Sequence, residues 1–119
     1  MILSGALDLV YDDTLRFRFT VTNTGDDPIE LRFRDGQSVD FVVLENGRER
    51  WRWSDGRLFT QAIRNDRLDP NESSTHEGTW SGSESGRYTV CATLCAENHD
   101  CSVERTVSLS GETLSFDPS

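Results

Sequence analysis

Turn residues recur along this chain at short, regular intervals, and this spacing is the feature that most restricts its fold. Glycine stands at positions 25, 36, 47 and 56, beside Asp, Asn or Thr each time, so the intervals are 11, 11 and 9 residues. Turn signals that repeat roughly every 8–12 residues are typical of the short strands of a sandwich or barrel. The chain is therefore expected to be all-β.

Apolar and polar residues alternate between these turns, which is the two-residue period of a half-buried strand. No window shows the period of an amphipathic helix, and aromatic and β-branched residues favour strands. We predict a two-sheet sandwich of seven to nine strands, formed by one domain over residues 1–119, whose tail (111–119) adds a short edge strand or frays. The segments with the alternating pattern are 3–9, 15–23, 27–35, 39–43, 50–53, 59–63, 75–80, 87–96 and 102–109.

Arginines in the second and third segments indicate that these two strands lie in different sheets. In a simple hairpin about Gly25 that keeps both apolar sets on one face, Arg16 would face Arg34. Arg18 would then face Arg32. Like charges opposite each other on a strand pair are destabilising. An immunoglobulin-like sandwich passes between its sheets at this point, so we predict that architecture.

The charge of the chain restricts its partners. It has 21 acidic residues against 12 basic ones, all of them arginine, for a net charge of −9. This composition fits either a solubilising surface of the halophilic kind or a surface matched to a basic partner, and we favour the first. A nucleic-acid binder needs the opposite sign, and no apolar run approaches the ~20 residues of a membrane-spanning helix. We expect a cytoplasmic monomer with a protein partner, no nucleic-acid or membrane partner, and no cofactor.

Three stretches together resemble the BsuPI-type intracellular proteinase inhibitor family. They are residues 36–41 (GQSVDF), 51–62 (WRWSDGRLFTQA), and 68–73 (LDPNES) followed by Trp80 and residues 86–90 (GRYTV). The resemblance covers about residues 15–94 and leaves the cysteine-bearing end outside. Where the family tends to have glycine after proline, this chain has Asn71, which also tolerates a left-handed backbone. The resemblance implies a small immunoglobulin-like domain, and some members inhibit intracellular subtilisin-like serine proteases.

On this basis we predict a non-catalytic binding module that acts through loops at an end of the sandwich. The candidate loops are 54–57, 64–70 and 81–86. The candidate protease contacts are Asp55, Gly56 and Arg57, since an arginine here suits an acidic specificity pocket. With two histidines and no nucleophile elbow, phosphate loop or zinc-protease motif, no catalytic residue is assigned. A generic immunoglobulin-like accessory domain without a protease partner is the alternative.

The large aromatic residues have a structural interpretation. Trp51 and Trp53 share one face of a strand, opposite an arginine stripe, which favours the core over a nucleic-acid stacking platform. The sequence around Tyr88 resembles a tyrosine corner, in which the hydroxyl bonds to the backbone. Structural roles are assigned to Trp51, Trp53, Phe59, Trp80 and Tyr88.

The cysteine-bearing end carries groups that suit zinc: Cys91, Cys95, His99 and Cys101. On an extended strand the first two cysteines are about 13 Å apart, too far to share one ion. Cys95 and Cys101 are close enough across a turn for a disulfide in an oxidising compartment, whereas a cytoplasm favours free thiols. A metal-sensing or redox module is thus a third hypothesis, but no metal site is assigned.

Overall fold

The computed structural model describes residues 2–81, 84–111 and 113–116 of the chain. Every regular element in these ranges is a β-strand, and no helix suited to crossing a membrane occurs in them. The strands are β1 (Leu3–Tyr11), β2 (Leu15–Asn23), β3 (Ile29–Phe33), β4 (Val39–Glu45), β5 (Arg48–Arg52), β6 (Arg64–Leu68), β7 (Ser73–Trp80), β8 (Gly86–Leu94), β9 (Ser102–Ser110) and β10 (Thr113–Phe116).

These strands form three antiparallel sheets, in the orders β1-β2-β7, β10-β9-β8-β4-β5 and β3-β6. The three-stranded and five-stranded sheets pack face to face. Phe17 of β2 stacks on Phe41 of β4 with ring centroids 5.2 Å apart. Trp80 of β7 meets Tyr88 of β8 edge-on at 5.2 Å. The predicted all-β sandwich is confirmed, but it has ten described strands rather than seven to nine, and a third sheet that the prediction lacked.

The crossing between the second and third strands occurs as predicted, since β2 pairs with β1 and β7 whereas β3 pairs with β6. The arginines of the second and third predicted segments then form ion pairs with separate acidic residues. In β2, Arg16 lies 2.5 Å from Asp12, and Arg18 lies 3.5 Å from Glu77. Arg32 of β3 and Arg34, just after this strand, both lie within 3.5 Å of Glu97. These exposed pairs add little stability individually, but the arrangement avoids placing the arginines opposite each other.

One strand prediction and one loop prediction are wrong. Residues 59–63, predicted as a strand, have no regular structure, and the strand forms instead at Arg64–Leu68, inside the predicted loop 64–70. This strand buries only Leu68, so it carries no alternating apolar signal. It is held by pairing with β3 and by the Arg64 guanidinium, which lies 4.4 Å over the ring of Phe33. The strand is thus specified by tertiary contacts.

Asn23 joins two connections between the sheets. Its side chain is fully buried, and Nδ2 donates hydrogen bonds to the carbonyl oxygens of Asp27 (2.8 Å) and Leu68 (3.0 Å). Its Oδ1 accepts a hydrogen bond from the Gly25 amide at 2.9 Å. The amide of Asn71, which has the left-handed φ of 66° expected for it, donates to the Asn23 carbonyl at 2.8 Å. One side chain thus ties the β2–β3 connection to the end of β6.

Candidate functional site

The chain from 53 to 63, here called the crossover segment, leaves the five-stranded sheet after β5 and enters the two-stranded sheet at β6. It has turns but no strand or helix. The predicted protease contacts Asp55, Gly56 and Arg57 all lie on it and are exposed. Loops held by a rigid sandwich are where such folds carry function, so this segment is the candidate site.

The start of the crossover segment is anchored by Asp40, a nearly buried carboxylate of β4. Its Oδ1 accepts hydrogen bonds from the amides of Phe41 (2.9 Å) and Ser54 (3.1 Å). Its Oδ2 accepts one from the Ser54 hydroxyl at 2.7 Å and one from the Arg52 guanidinium at 3.2 Å. A carboxylate with four donors is fully satisfied, and it holds the chain on either side of Trp53 against β4.

A tight turn follows the anchor. The Asp55 amide donates to the carbonyl of Arg52 and the Arg57 amide donates to the carbonyl of Ser54, both at 3.1 Å. Gly56 has a φ of 77°, a left-handed conformation that residues with a Cβ rarely adopt. The turn is therefore ordered by backbone bonding, although it contains a glycine.

Arg57 is folded back onto the protein. Its Nε donates to the carbonyl of Trp53 at 2.7 Å, and its guanidinium carbon lies 4.0 Å from the centre of the Trp53 ring. Cation–π contacts of this kind contribute about 0.5–1 kcal/mol at exposed sites. The guanidinium would have to leave both partners before it entered an acidic pocket. The structure thus gives Arg57 a bracing role beside the contact role predicted from sequence.

The far side of the segment is braced as well. The Phe59 ring packs against Trp53 at 5.9 Å between centroids, and Trp53 contacts the core ring of Phe41 edge-on at 6.5 Å. The Gly36 amide donates to the Thr60 carbonyl at 2.9 Å. A Cβ at Gly36 would come within 2.7 Å of the Thr60 hydroxyl, so a larger residue here would force the Thr60 side chain to shift. The segment is fixed on both sides of residue 58.

Leu58 stands between the two braces and is 100% exposed. Arg57 and Phe59 both contact the same indole, that of Trp53. The Leu58 side chain between these two held neighbours extends into solvent.

Four of the five aromatic residues predicted to be structural lie in or against the core, and the fifth, Phe59, packs on Trp53. Trp80 and Tyr88 are buried, and Trp51 stacks on Trp80 at 6.4 Å. The Tyr88 hydroxyl donates to the carbonyl of Glu84 at 2.9 Å, the bond expected of a tyrosine corner. This bond holds the end of the third candidate loop, 81–86. Residues 82 and 83 of that loop lie outside the described residues.

The cysteines form no reactive cluster in the described part of the chain. All three are free thiols, including Cys95 and Cys101, for which the sequence allows a disulfide. Burial and then the charge of Glu104 raise the pKa of Cys91 to about 11. Burial, followed by the charges of nearby carboxylates, likewise raises the pKa of Cys95 to about 11. Among the described residues, no three His, Cys, Asp or Glu side chains are grouped to hold a metal ion.

His76 of β7 lines a small cavity between β6 and β7 and lies 2.8 Å from the Ser74 hydroxyl through Nε2. The pKa of His76 is lowered from its ordinary value chiefly by burial and also by the positive charge of Arg64, while Asp66 opposes the shift. The folded state therefore disfavours the protonated imidazole. The unfolded chain binds more protons in the range between the two pKa values.

We expect the free energy of unfolding to decrease as the pH falls from about 6.5, the ordinary histidine pKa, through the lower folded-state pKa of His76. Above about pH 6.5 the imidazole is neutral in both states, and this contribution is fully present. His76→Gln should flatten the decrease. Urea denaturation at constant salt between about pH 5.5 and 7.5 measures the slope. Equal slopes for wild type and His76→Gln would contradict the assignment.

Sequence patterns alone missed two residues of this site. Asp40 occupies an outward position in the alternation of β4, where a solvated carboxylate is expected, yet it is only 9% exposed because the crossover segment covers it. Leu58 lies inside the stretch that resembles the inhibitor family but has no periodic signal of its own. The signal that could have found it is the distinctive run WRWSDGRLFTQA, in which every other bulky apolar residue packs inward or against a neighbour.

The structure is that of a small β-sandwich domain with a braced and exposed connection between its sheets. The sequence pattern of the BsuPI family, described as intracellular proteinase inhibitor, matches residues 8–99. The chain therefore belongs to the BsuPI family. The solution NMR structure of a CARDB domain from Pyrococcus furiosus is also similar, with 20% identity, a TM-score of 0.46 and coverage of 92% of each chain. No curated protein shows significant similarity to this chain.

Proposed function

We propose that this protein inhibits an intracellular subtilisin-like serine protease as a non-catalytic binding partner, and that the crossover segment is its contact surface. The observation that carries the proposal is the family match over residues 8–99. The matched range contains the whole crossover segment, including the predicted contacts Asp55, Gly56 and Arg57. It also contains the anchor Asp40 and the bracing Trp53.

The physical argument for the crossover segment is its order in the free protein. Binding costs roughly 0.5–1.5 kcal/mol for each side chain that must be immobilised, in addition to the ordering of the loop itself. Here the Asp40 bonds, the turn at Gly56 and the packing on Trp53 already fix the chain. Binding of this segment to a protease therefore costs less conformational entropy than binding of an unfolded substrate.

Titration of the purified protein into an assay of an intracellular subtilisin-like protease tests the proposal. We expect a saturable loss of protease activity at or below micromolar inhibitor, which corresponds to a binding free energy of about −8 kcal/mol or stronger. Full activity at about 10 μM inhibitor would contradict the proposal. The assay is repeated at low and at molar salt, because the net charge of −9 makes association sensitive to screening.

The control separates inhibition from competition by a digestible protein. Serum albumin at the same mass concentration should reduce the cleavage rate only in proportion to its own digestion. Mass spectrometry of the mixture should find this chain intact while the protease is inhibited. Activity that recovers as the chain is degraded would show that it is merely a substrate.

A further inference from the structure

We infer that Leu58 is the side chain that enters the specificity pocket of the target, and that this pocket is apolar rather than acidic. This inference rests on the proposed function and adds which side chain is inserted and the chemical character of the pocket that takes it. In this inference the inserted side chain is that of Leu58 and not that of its neighbour Arg57.

Leu58 is the most exposed large apolar side chain among the described residues. It is 100% exposed, and burying a leucine contributes about 1.5–3 kcal/mol that this fold leaves unused. A single exposed apolar residue is ordinary on a protein surface, so exposure alone does not identify Leu58 as a contact residue. The position of Leu58 between two braced neighbours is the second observation. The other exposed large apolar side chains are Ile63 (61%), Val10 (58%), Ile2 (48%) and Phe116 (43%).

The backbone around Leu58 is held on both sides. Arg57 and Phe59 both contact the indole of Trp53. The bond from Gly36 to the Thr60 carbonyl fixes the chain just beyond. Extended peptides are recognised through their main chain, while pockets for alternate side chains supply specificity. Leu58 is the fully exposed side chain of this held stretch, so it is the one available to enter such a pocket.

The chemistry of the two neighbouring side chains selects an apolar pocket. A trypsin-like pocket has a carboxylate at its base. Leucine in that pocket would leave a buried charge without a partner, which is strongly unfavourable. Arg57 has the matching charge, but its guanidinium is bonded to the Trp53 carbonyl and stacked on the Trp53 ring. The favourable complex is therefore one in which an apolar pocket takes Leu58.

Three variants test the inference in the protease titration: Leu58→Asp, Leu58→Met and Val10→Asp. Leu58→Asp should raise the inhibition constant by about 100-fold or more, the range of an interface hot spot. Leu58→Met keeps an apolar side chain of similar volume and should stay within about threefold. Val10→Asp makes the same charge change at an exposed position of β1 and should also stay within about threefold. Because Leu58 is fully exposed, its variants should unfold at the wild-type urea concentration.

The outcomes separate this inference from the proposed function. If wild type inhibits and Leu58→Asp inhibits equally well, the inference is overturned while the inhibitor function stands. If wild type does not inhibit at all, both fail. A parallel titration against trypsin should show no inhibition at concentrations that inhibit the subtilisin-like enzyme. Trypsin inhibition that Arg57→Ala abolishes would identify Arg57 as the inserted residue and overturn the inference.

Discussion

Replacing Asn23 with aspartate should lower the free energy of unfolding by about 3–5 kcal/mol, the cost of leaving a buried charge without a partner. The side chain is 0% exposed, and Nδ2 donates to two carbonyl oxygens, those of Asp27 and Leu68. In the variant a carboxylate oxygen would face both carbonyl oxygens with no hydrogen to share. The junction between the β2–β3 connection and the end of β6 would therefore open or the carboxyl would take up a proton.

Urea denaturation at pH 7 measures this loss, with Asn65→Asp as the matched control. Asn65 is exposed on β6, so the same chemical change there should alter the unfolding free energy by no more than about 0.5 kcal/mol. The loss in Asn23→Asp should shrink as the pH is lowered, because protonation removes the buried charge. A decrease below about 1 kcal/mol at pH 7 would contradict the role given to Asn23.

Asp40→Ala should lower the free energy of unfolding by about 2–3 kcal/mol, since it leaves the amides of Phe41 and Ser54 and the Ser54 hydroxyl without their acceptor, while Arg52 keeps its ion pair with Glu49. It should also weaken protease inhibition by about tenfold or more, because the start of the crossover segment loses its only described carboxylate anchor and must be ordered on binding. Asp40 is nearly buried beneath the crossover segment. Under the proposed function it therefore acts as a positioning residue rather than as a contact.

The same urea and protease titrations measure the two effects. Asp40→Asn retains one carbonyl oxygen as acceptor and should show smaller losses in both. Asp26→Ala removes an exposed carboxylate at the β2–β3 connection and is the control for net charge. Normal inhibition by an Asp40→Ala protein with reduced stability would separate the anchor from binding and contradict its positioning role.

The parts of the fold that were predictable from sequence are those with a strong local pattern. β2 alternates aromatic or aliphatic residues with arginine and threonine, and its burial alternates accordingly. The repulsion of facing arginines was enough to place β2 and β3 in different sheets, as the structure confirms. The resemblance to the BsuPI family, carried by three stretches, is confirmed over residues 8–99.

The parts that were not predictable depend on partners far away in the chain. β6 buries a single residue and exists because β3 offers it an edge, so periodicity could not find it. Asp40 sits at a position that the strand period marks as solvent-facing, and only the crossover segment makes it an interior carboxylate. The sequence suggests that Arg57 is a free basic side chain, whereas in the structure its guanidinium lies over the ring of Trp53.

Amide hydrogen exchange of the protein, free and bound to its protease, tests the central claim most directly. We expect the largest added protection at residues 54–60, with Leu58 at its centre, and little change in the strands of the five-stranded sheet. The claim would be contradicted if residues 54–60 exchanged as in the free protein. Added protection would then lie elsewhere, for example around the 46–47 turn or in the connection after β7.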